Sequence, residues 1–193
     1  MMQDRIKEIL ACSISVKTSI LDDVALLKNI ESAVELLISA FHEQKKVLFC
    51  GNGGSAADAQ HLAAEFSGRF YYDRNPLDAE ALHVNTSYLT AVANDYAYDV
   101  VYARLVKAKG KKGDVLMALS TSGNSRNIIN AMEAARELGM KTIGLAGETG
   151  GEMKGLSDIL LNVPSKDTPR IQEAHITLGH IICELVESRL FPR

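Results

Sequence analysis

Five short apolar runs constrain what this chain can fold into more than any other feature. They are VLFC (47–50), EALHV (80–84), DVLMALS (114–120), TIGLA (142–146) and DILLNV (158–163), with helical patterns between them. None alternates strictly, so each is suited to burial on both faces, and strands that take turns with helices pair in parallel. The pattern predicts an α/β protein in which helices cover both sides of a parallel sheet. A length of 193 residues is ample for one core and leaves no room for two independent domains.

The helices can be placed by period. Ile30, Ala33, Val34, Leu37, Ala40 and Phe41 form the stripe of an amphipathic helix. Upstream, Ile6, Ile9, Leu10, Ile14 and Leu21 mark a first helix, but Ser13, Ser15, Thr18 and Ser19 lower its propensity, so it needs a partner surface. Gly139 stands just past a helix carrying Ile128, Met132, Ala135 and Leu138, where glycine ends helices. The last helix, Pro169 to Leu190, opens with proline in its first turn. At about 100° per residue, Ile171, Ala174, Leu178, Ile182 and Leu185 share one arc, and Gln172, Ile176, His180 and Cys183 share another. Two faces of this helix are expected to be buried.

Charge and cysteine usage exclude several function classes. With 21 Lys plus Arg against 24 Asp plus Glu, the net charge of −3 offers no footprint for a polyphosphate backbone, so nucleic acid is not an expected partner. Cys12, Cys50 and Cys183 are odd in number and sit in apolar or helical patterns, as free thiols in a reducing compartment do. The opening MMQDRIKEIL lacks a continuous apolar core and resembles neither a signal peptide nor a membrane span. A soluble, cytoplasmic protein with no membrane partner is the expectation.

Two of the strand ends run into segments rich in glycine and hydroxyls. In CGNGGSAADAQH (50–61), Gly51, Gly53 and Gly54 permit a sharp turn that exposes N–H groups before a helix starting near Ser55. That turn suits an anion or a sugar oxygen, although a plain glycine turn explains it as readily. In STSGNSRN (120–127), Ser120, Thr121, Ser122 and Ser125 crowd the start of another helix. One cap needs one hydroxyl, so four at a positive dipole end point to a phosphate, and the lack of a Walker lysine disfavours a nucleoside triphosphate.

His61 and Glu65, four apart on the helix after GNGGS, project from one face. A metal pair, a base with its partner and a solvated ion pair all remain open for them. The same spacing places Glu65 one turn beyond His61, close to the strand ends. His180 shares its arc with Gln172, two polar groups on an otherwise apolar face that need partners if buried. His175 reads as a satisfied core or interface histidine, His42 ends a helix, and His83 falls in a strand.

Taken together, GNGGSAADAQHLAAEFSGRF (51–70), VANDY (92–96), GDVLMALSTSGNS (113–125) and RIQEAHITLGH (170–180) resemble the phosphoheptose isomerases of the sugar isomerase (SIS) family, nearly end to end. The resemblance implies a flavodoxin-like three-layer α/β/α sandwich around a five-stranded parallel sheet. It makes residues 1–193 one SIS domain, with 1–43 a helical hairpin used in oligomerisation and 44–193 the sandwich. It implies conversion of sedoheptulose 7-phosphate to D-glycero-D-manno-heptose 7-phosphate, the start of ADP-heptose synthesis for lipopolysaccharide, by a homotetramer. Ser120, Thr121, Ser122 and Ser125 would bind phosphate. Asn52, Gly53, Gly54, Ser55, Asn94, Asp95 and Gln172 would meet the sugar, Glu65 and His180 would be the acid/base pair, and one zinc per subunit would be held by His61, Glu65, Gln172 and His180.

The chemistry can be stated without the family. Moving a carbonyl from C2 to C1 needs a base for the C1 proton and an acid that exchanges protons between the oxygens of an enediol. Glu65 fits the base, and a histidine fits the acid. A SIS-fold protein that associates with the replication initiator DnaA is the rival from another class; it lacks the matching glutamate, so Glu65 with Gln172 and His180 favours the enzyme. An isomerase of another sugar phosphate is the second alternative.

Overall fold

All four residues of Val47–Cys50 and all six of Val115–Ser120 are buried, as strands covered on both faces must be. The computed structural model describes residues 1–193. Its elements are α1 (Met2–Asp22), α2 (Val24–His42), β1 (Val47–Cys50), α3 (Gly54–Ser67), β2 (Ala79–Ala81), α4 (Thr86–Asp95), α5 (Val101–Lys109), β3 (Val115–Ser120), α6 (Arg126–Glu137), β4 (Lys141–Ala146), β5 (Ile159–Asn162) and α7 (Thr168–Leu190), with short 3-10 turns at Tyr98–Val100 and Gly151–Gly155. The strands pair in parallel in the order β2-β1-β3-β4-β5, with Val47 opposite Val115 and Val115 opposite Lys141. This is the flavodoxin-like doubly wound order that the sequence led us to expect.

The pleat feeds two cores. Val47, Phe49, Val115, Met117 and Leu119 face α2, α3 and α7, whereas Leu48, Cys50, Leu116 and Ala118 face α4, α5 and α6. Seven residues of α2 are buried, from Leu26 to Ala40, and each fully buried one such as Leu37 contributes about 1.5–3 kcal/mol over an exposed position. Asp23 starts α2 cleanly, its Oδ1 accepting the N–H groups of Ala25 and Leu26 at 3.0 Å each. In α1, by contrast, only Ile20 is buried. None of the helices is long and apolar enough to cross a membrane.

Three local expectations change. The strand read at 80–84 is only Ala79–Ala81: it pairs on one side alone, and the Asn85 side chain then accepts the Tyr88 N–H as an N-cap, turning the chain into α4. His83 therefore lies in a turn. On α7, Ile171, Ala174, Leu178 and Ile182 are buried as expected, but Leu185 is 41% exposed and opens onto an apolar groove shared with α1 and α2.

At the far end of α3 and α7 lies an ion pair, Arg74 Nε to Glu187 Oε1 at 3.0 Å, each side chain only 2% exposed. The Glu187 carboxylate also accepts the N–H groups of Phe70 (2.8 Å) and Tyr71 (2.7 Å). Burial by itself raises its pKa, but the N–H groups of Tyr71 and Phe70 and the Arg74 guanidinium outweigh burial and hold the carboxyl below its ordinary value of 4.5. A carboxylate depressed in the folded state adds stability that is complete above the unfolded value and lost as pH falls through the folded one. Glu187→Gln is accordingly expected to lower stability at neutral pH by about 3–5 kcal/mol, as breaking a buried pair does. It should also flatten the fall in melting temperature below pH 4.5 relative to the wild type, as followed by thermal denaturation across pH.

Candidate active site

Strand order reverses between β1 and β3, and the loops that leave their carboxyl ends form a crevice there. The two glycine-rich segments of the sequence are those loops. After β1, Gly53 takes φ +55 and lets α3 begin at Gly54. A Cβ on Gly51 would overlap the backbone of Ser55, so the turn closes only with glycine there, and Ser55 is buried beneath it. Asn52 and Asn127 exchange reciprocal amide hydrogen bonds of 2.9 Å, and the Tyr98 hydroxyl donates to Asn52 Oδ1 at 3.1 Å. These contacts tie the first loop to α6 and to the turn after α4. Asn94 and Asp95 end α4, are exposed and bond to each other, Asn94 Nδ2 donating to Asp95 at 2.9 Å.

After β3, the hydroxyls are not spent on capping. Ser125 is the N-cap residue of α6 but its side chain makes no cap hydrogen bond; its Oγ lies 3.0 Å from Ser120 Oγ, which is 3.5 Å from Ser122 Oγ. Three hydroxyls thus converge at the positive end of α6, where donors suit an anion. Thr121 and Ser122 line a polar cavity of about 210 Å³ with Glu148, which pairs with Lys166 at 3.4 Å, and together with Thr149, Ser165, Lys166 and Thr168. The last four escaped the sequence reading. For Ser165, Lys166 and Thr168 the polar run between DILLNV and Pro169 was the available signal, since a loop after β5 also starts at the carboxyl edge, and Thr149 lies in the corresponding loop after β4.

Further along α3, His61 Nε2 sits 2.9 Å from Glu65 Oε1 and 3.2 Å from His180 Nε2. One donor atom from each of the three falls within 4.8 Å of the others. Zinc bonds of about 2.0 Å at a tetrahedral angle separate donor atoms by about 3.3 Å. The donor types and their spacing therefore fit a metal ion, which His61, Glu65 and His180 could help to hold. The Gln172 amide packs on Gly54, where an added Cβ would come within 2.6 Å of Nε2. Eight residues of α7, about 12 Å of helix axis, separate it from His180. Glu65 is likewise far from the strand ends, because α3 runs back along the sheet and eleven residues from Gly54 cover about 16 Å.

His175 is a core residue, as the sequence indicated. It is fully buried, its Nε2–H donates to the Ala146 carbonyl at 3.1 Å, and burial pushes its pKa down to about 4.

The model for the SIS domain matches residues 15–147. The phosphoheptose isomerase of Clostridium acetobutylicum is 53% identical over 190 residues, 98% of this chain and 97% of that protein. The phosphoheptose isomerase of Mycobacterium tuberculosis is 51% identical over 185 residues, 96% and 94% of the two chains. Among solved structures, the phosphoheptose isomerase from Neisseria gonorrhoeae superposes with a TM-score of 0.91 at 44% identity, covering 97% of this chain and all of that one. The phosphoheptose isomerase from Francisella tularensis gives 0.93 at 36% identity, with coverages of 97% and 99%.

Gly123, at φ +68 with its Cα against the Gly150 backbone, holds the hydroxyl loop closed. Gly123→Ala must adopt a left-handed conformation and displace that backbone, so a stability loss of about 1–3 kcal/mol is expected. Inorganic phosphate should bind more weakly by calorimetry, with the loop no longer presenting its three hydroxyls together.

Proposed function

The chain belongs to the phosphoheptose isomerase family of SIS-domain proteins, and on that premise we propose how its residues divide the work of interconverting sedoheptulose 7-phosphate and D-glycero-D-manno-heptose 7-phosphate. The carrying observation is the convergence of Ser120, Ser122 and Ser125 hydroxyls at the start of α6, on the same sheet edge as the GNGGS turn. Ser120, Thr121, Ser122 and Ser125 take the phosphate oxygens. Asn52, Gly53, Gly54, Ser55 and Gln172, with Asn94 and Asp95 on the Tyr98 side, meet the sugar hydroxyls.

Glu65 removes the C1 proton of the ketose and returns it at C2. His180 transfers the proton between O1 and O2, so that the enediol closes to the aldose with no net gain or loss of protons. His61, bonded to the Glu65 carboxylate, orients it. His61, Glu65 and His180 would hold one zinc per subunit, which when bound supplies Lewis-acid polarisation of a substrate oxygen. Glu65→Gln should lower kcat at least about 100-fold while the protein stays folded, whereas Thr121→Ala and Ser122→Ala should each cost about 1–3 kcal/mol, chiefly in KM. Product formation from several ketose phosphates, read by chromatography, decides both substrate and roles; near-normal turnover by Glu65→Gln removes the base from the scheme.

A second part of the reading is assembly. Ile6, Ile9, Leu10, Ile14 and Leu21 of the largely exposed α1 are 42–69% exposed, and an apolar groove with Leu27, Ile181 and Leu185 lies beside α2 and α7. Apolar surface of that extent favours covering by further copies of the chain, a cytoplasmic homotetramer whose 1–43 hairpin supplies contacts. Since the GNGGS turn opens α3 and the His61–Glu65–His180 cluster sits two or more turns further along it, the separation favours a site that draws on more than one copy. Sedimentation should give an oligomer at micromolar concentration. At substrate concentrations well below the raised KM, subunit exchange between inactive Glu65→Gln and a Thr121→Ala/Ser122→Ala protein should restore activity above that of either parent, and a monomer would refute the assembly.

A further inference from the structure

The metal-holding reading depends on three side chains carried by two helices, so something must keep those helices in register. Glu187 lies seven residues beyond His180, two turns along the same face of α7. Its carboxylate takes the Arg74 Nε–H and the N–H groups of Phe70 and Tyr71. Arg74 in turn caps the end of α3: Nη2 donates to the Glu65 carbonyl at 2.8 Å, and Nη1 donates to Phe66 and Gly68 carbonyls at 2.7 and 3.0 Å. The Glu65 and Phe66 carbonyls are among those that a helix end leaves without intrahelical partners, and the Phe66 carbonyl also accepts the Leu77 N–H at 3.1 Å. Glu65 is thus held at two points, its carbonyl by Arg74 and its carboxylate by His61. Phe70, fixed by its N–H on Glu187, lays its ring 5.6 Å from that of His180.

We propose that the buried Arg74–Glu187 pair is the positioning element that sets the spacing of His61, Glu65 and His180, a role that rests on reading those three as the metal-holding group. A pair needed for packing alone could be replaced by apolar side chains without loss. The planar guanidinium fork is directional, and here its N–H groups are aimed at the carbonyls of one helix while its Nε–H meets the carboxylate of the other.

The test is cobalt(II) affinity of the full-length protein, followed by the visible absorption of the bound ion. Outer-shell partners of metal ligands change affinity by about 10–100-fold, and a loss of that size is expected for Glu187→Gln and for Arg74→Lys, which keeps the charge but not the fork. Val186→Ala, a neighbouring core truncation on α7, lowers stability without touching the pair and should retain wild-type affinity. Wild-type affinity in either pair variant overturns the proposal, as does an equal loss in Val186→Ala at matched stability. If Glu187→Gln fails to fold, Arg74→Lys decides alone. If the wild type binds no cobalt, the metal reading fails, and nitrogen-15 spectra of the imidazoles then judge positioning. A single tautomer at His61 and His180 in wild type and averaged signals in Arg74→Lys support it, and unchanged spectra overturn it.

Discussion

Everything in this molecule depends on a parallel sheet whose central strands are buried on both faces. Such a sheet cannot return its chain by hairpins, so each strand is followed by a crossover, and every strand ends on the same edge. Because the chain moves outward to β2 and then comes back across β1 to β3, the crossovers on either side of β1 leave in opposite directions. The gap between β1 and β3 is a consequence of that reversal. Residues 51–54 and 121–125 fall on it with no further instruction.

The same crossover geometry explains the longer reach of the site. Helix α3 starts at the crevice and runs back along the sheet, and α7 lies beside it, close enough that a Cβ on Gly179 would come within 2.5 Å of Leu62 Cδ2. Side by side, the two helices present Gln172 against Gly54 at one level and His180 against His61 two turns further on. At the third level is the Arg74–Glu187 pair. A polar ladder therefore runs along an otherwise apolar helix interface, and its His61–His180 and Arg74–Glu187 rungs are joined by hydrogen bonds, the condition for keeping polar groups there.

Apolar and polar concavities have separate uses here. The apolar groove between α1, α2 and α7 is lined by Leu21, Leu27 and Ile181 and holds none of the converging hydroxyls or imidazoles. The smaller cavity by Thr121 and Ser122 is nearly all polar. A phosphate needs donors in fixed directions, which the second offers; a helix from another copy needs area removed from water, which the first offers.

Much of this was legible in the residues. The strands VLFC, TIGLA and DVLMALS are recovered within one residue because double burial writes itself as an unbroken apolar run, and α2 because its stripe has one period. Edge strand β2 was overread, since pairing on one side only leaves nothing in the local sequence to say where the ladder stops. The hydroxyl loop and the His61–Glu65 pair were visible as spacings of five residues or fewer. The chain by itself thus determined the layers, the two glycine turns and which side chains could carry chemistry, all matters of short-range pattern. Only the tertiary structure decided that His180 meets His61 across 119 residues, that Gln172 stays at Gly54, and that Arg74 and Glu187 join α3 to α7. Those pairings depend on the offset between two packed helices, set by contacts such as Gly179 on Leu62 that no local period encodes.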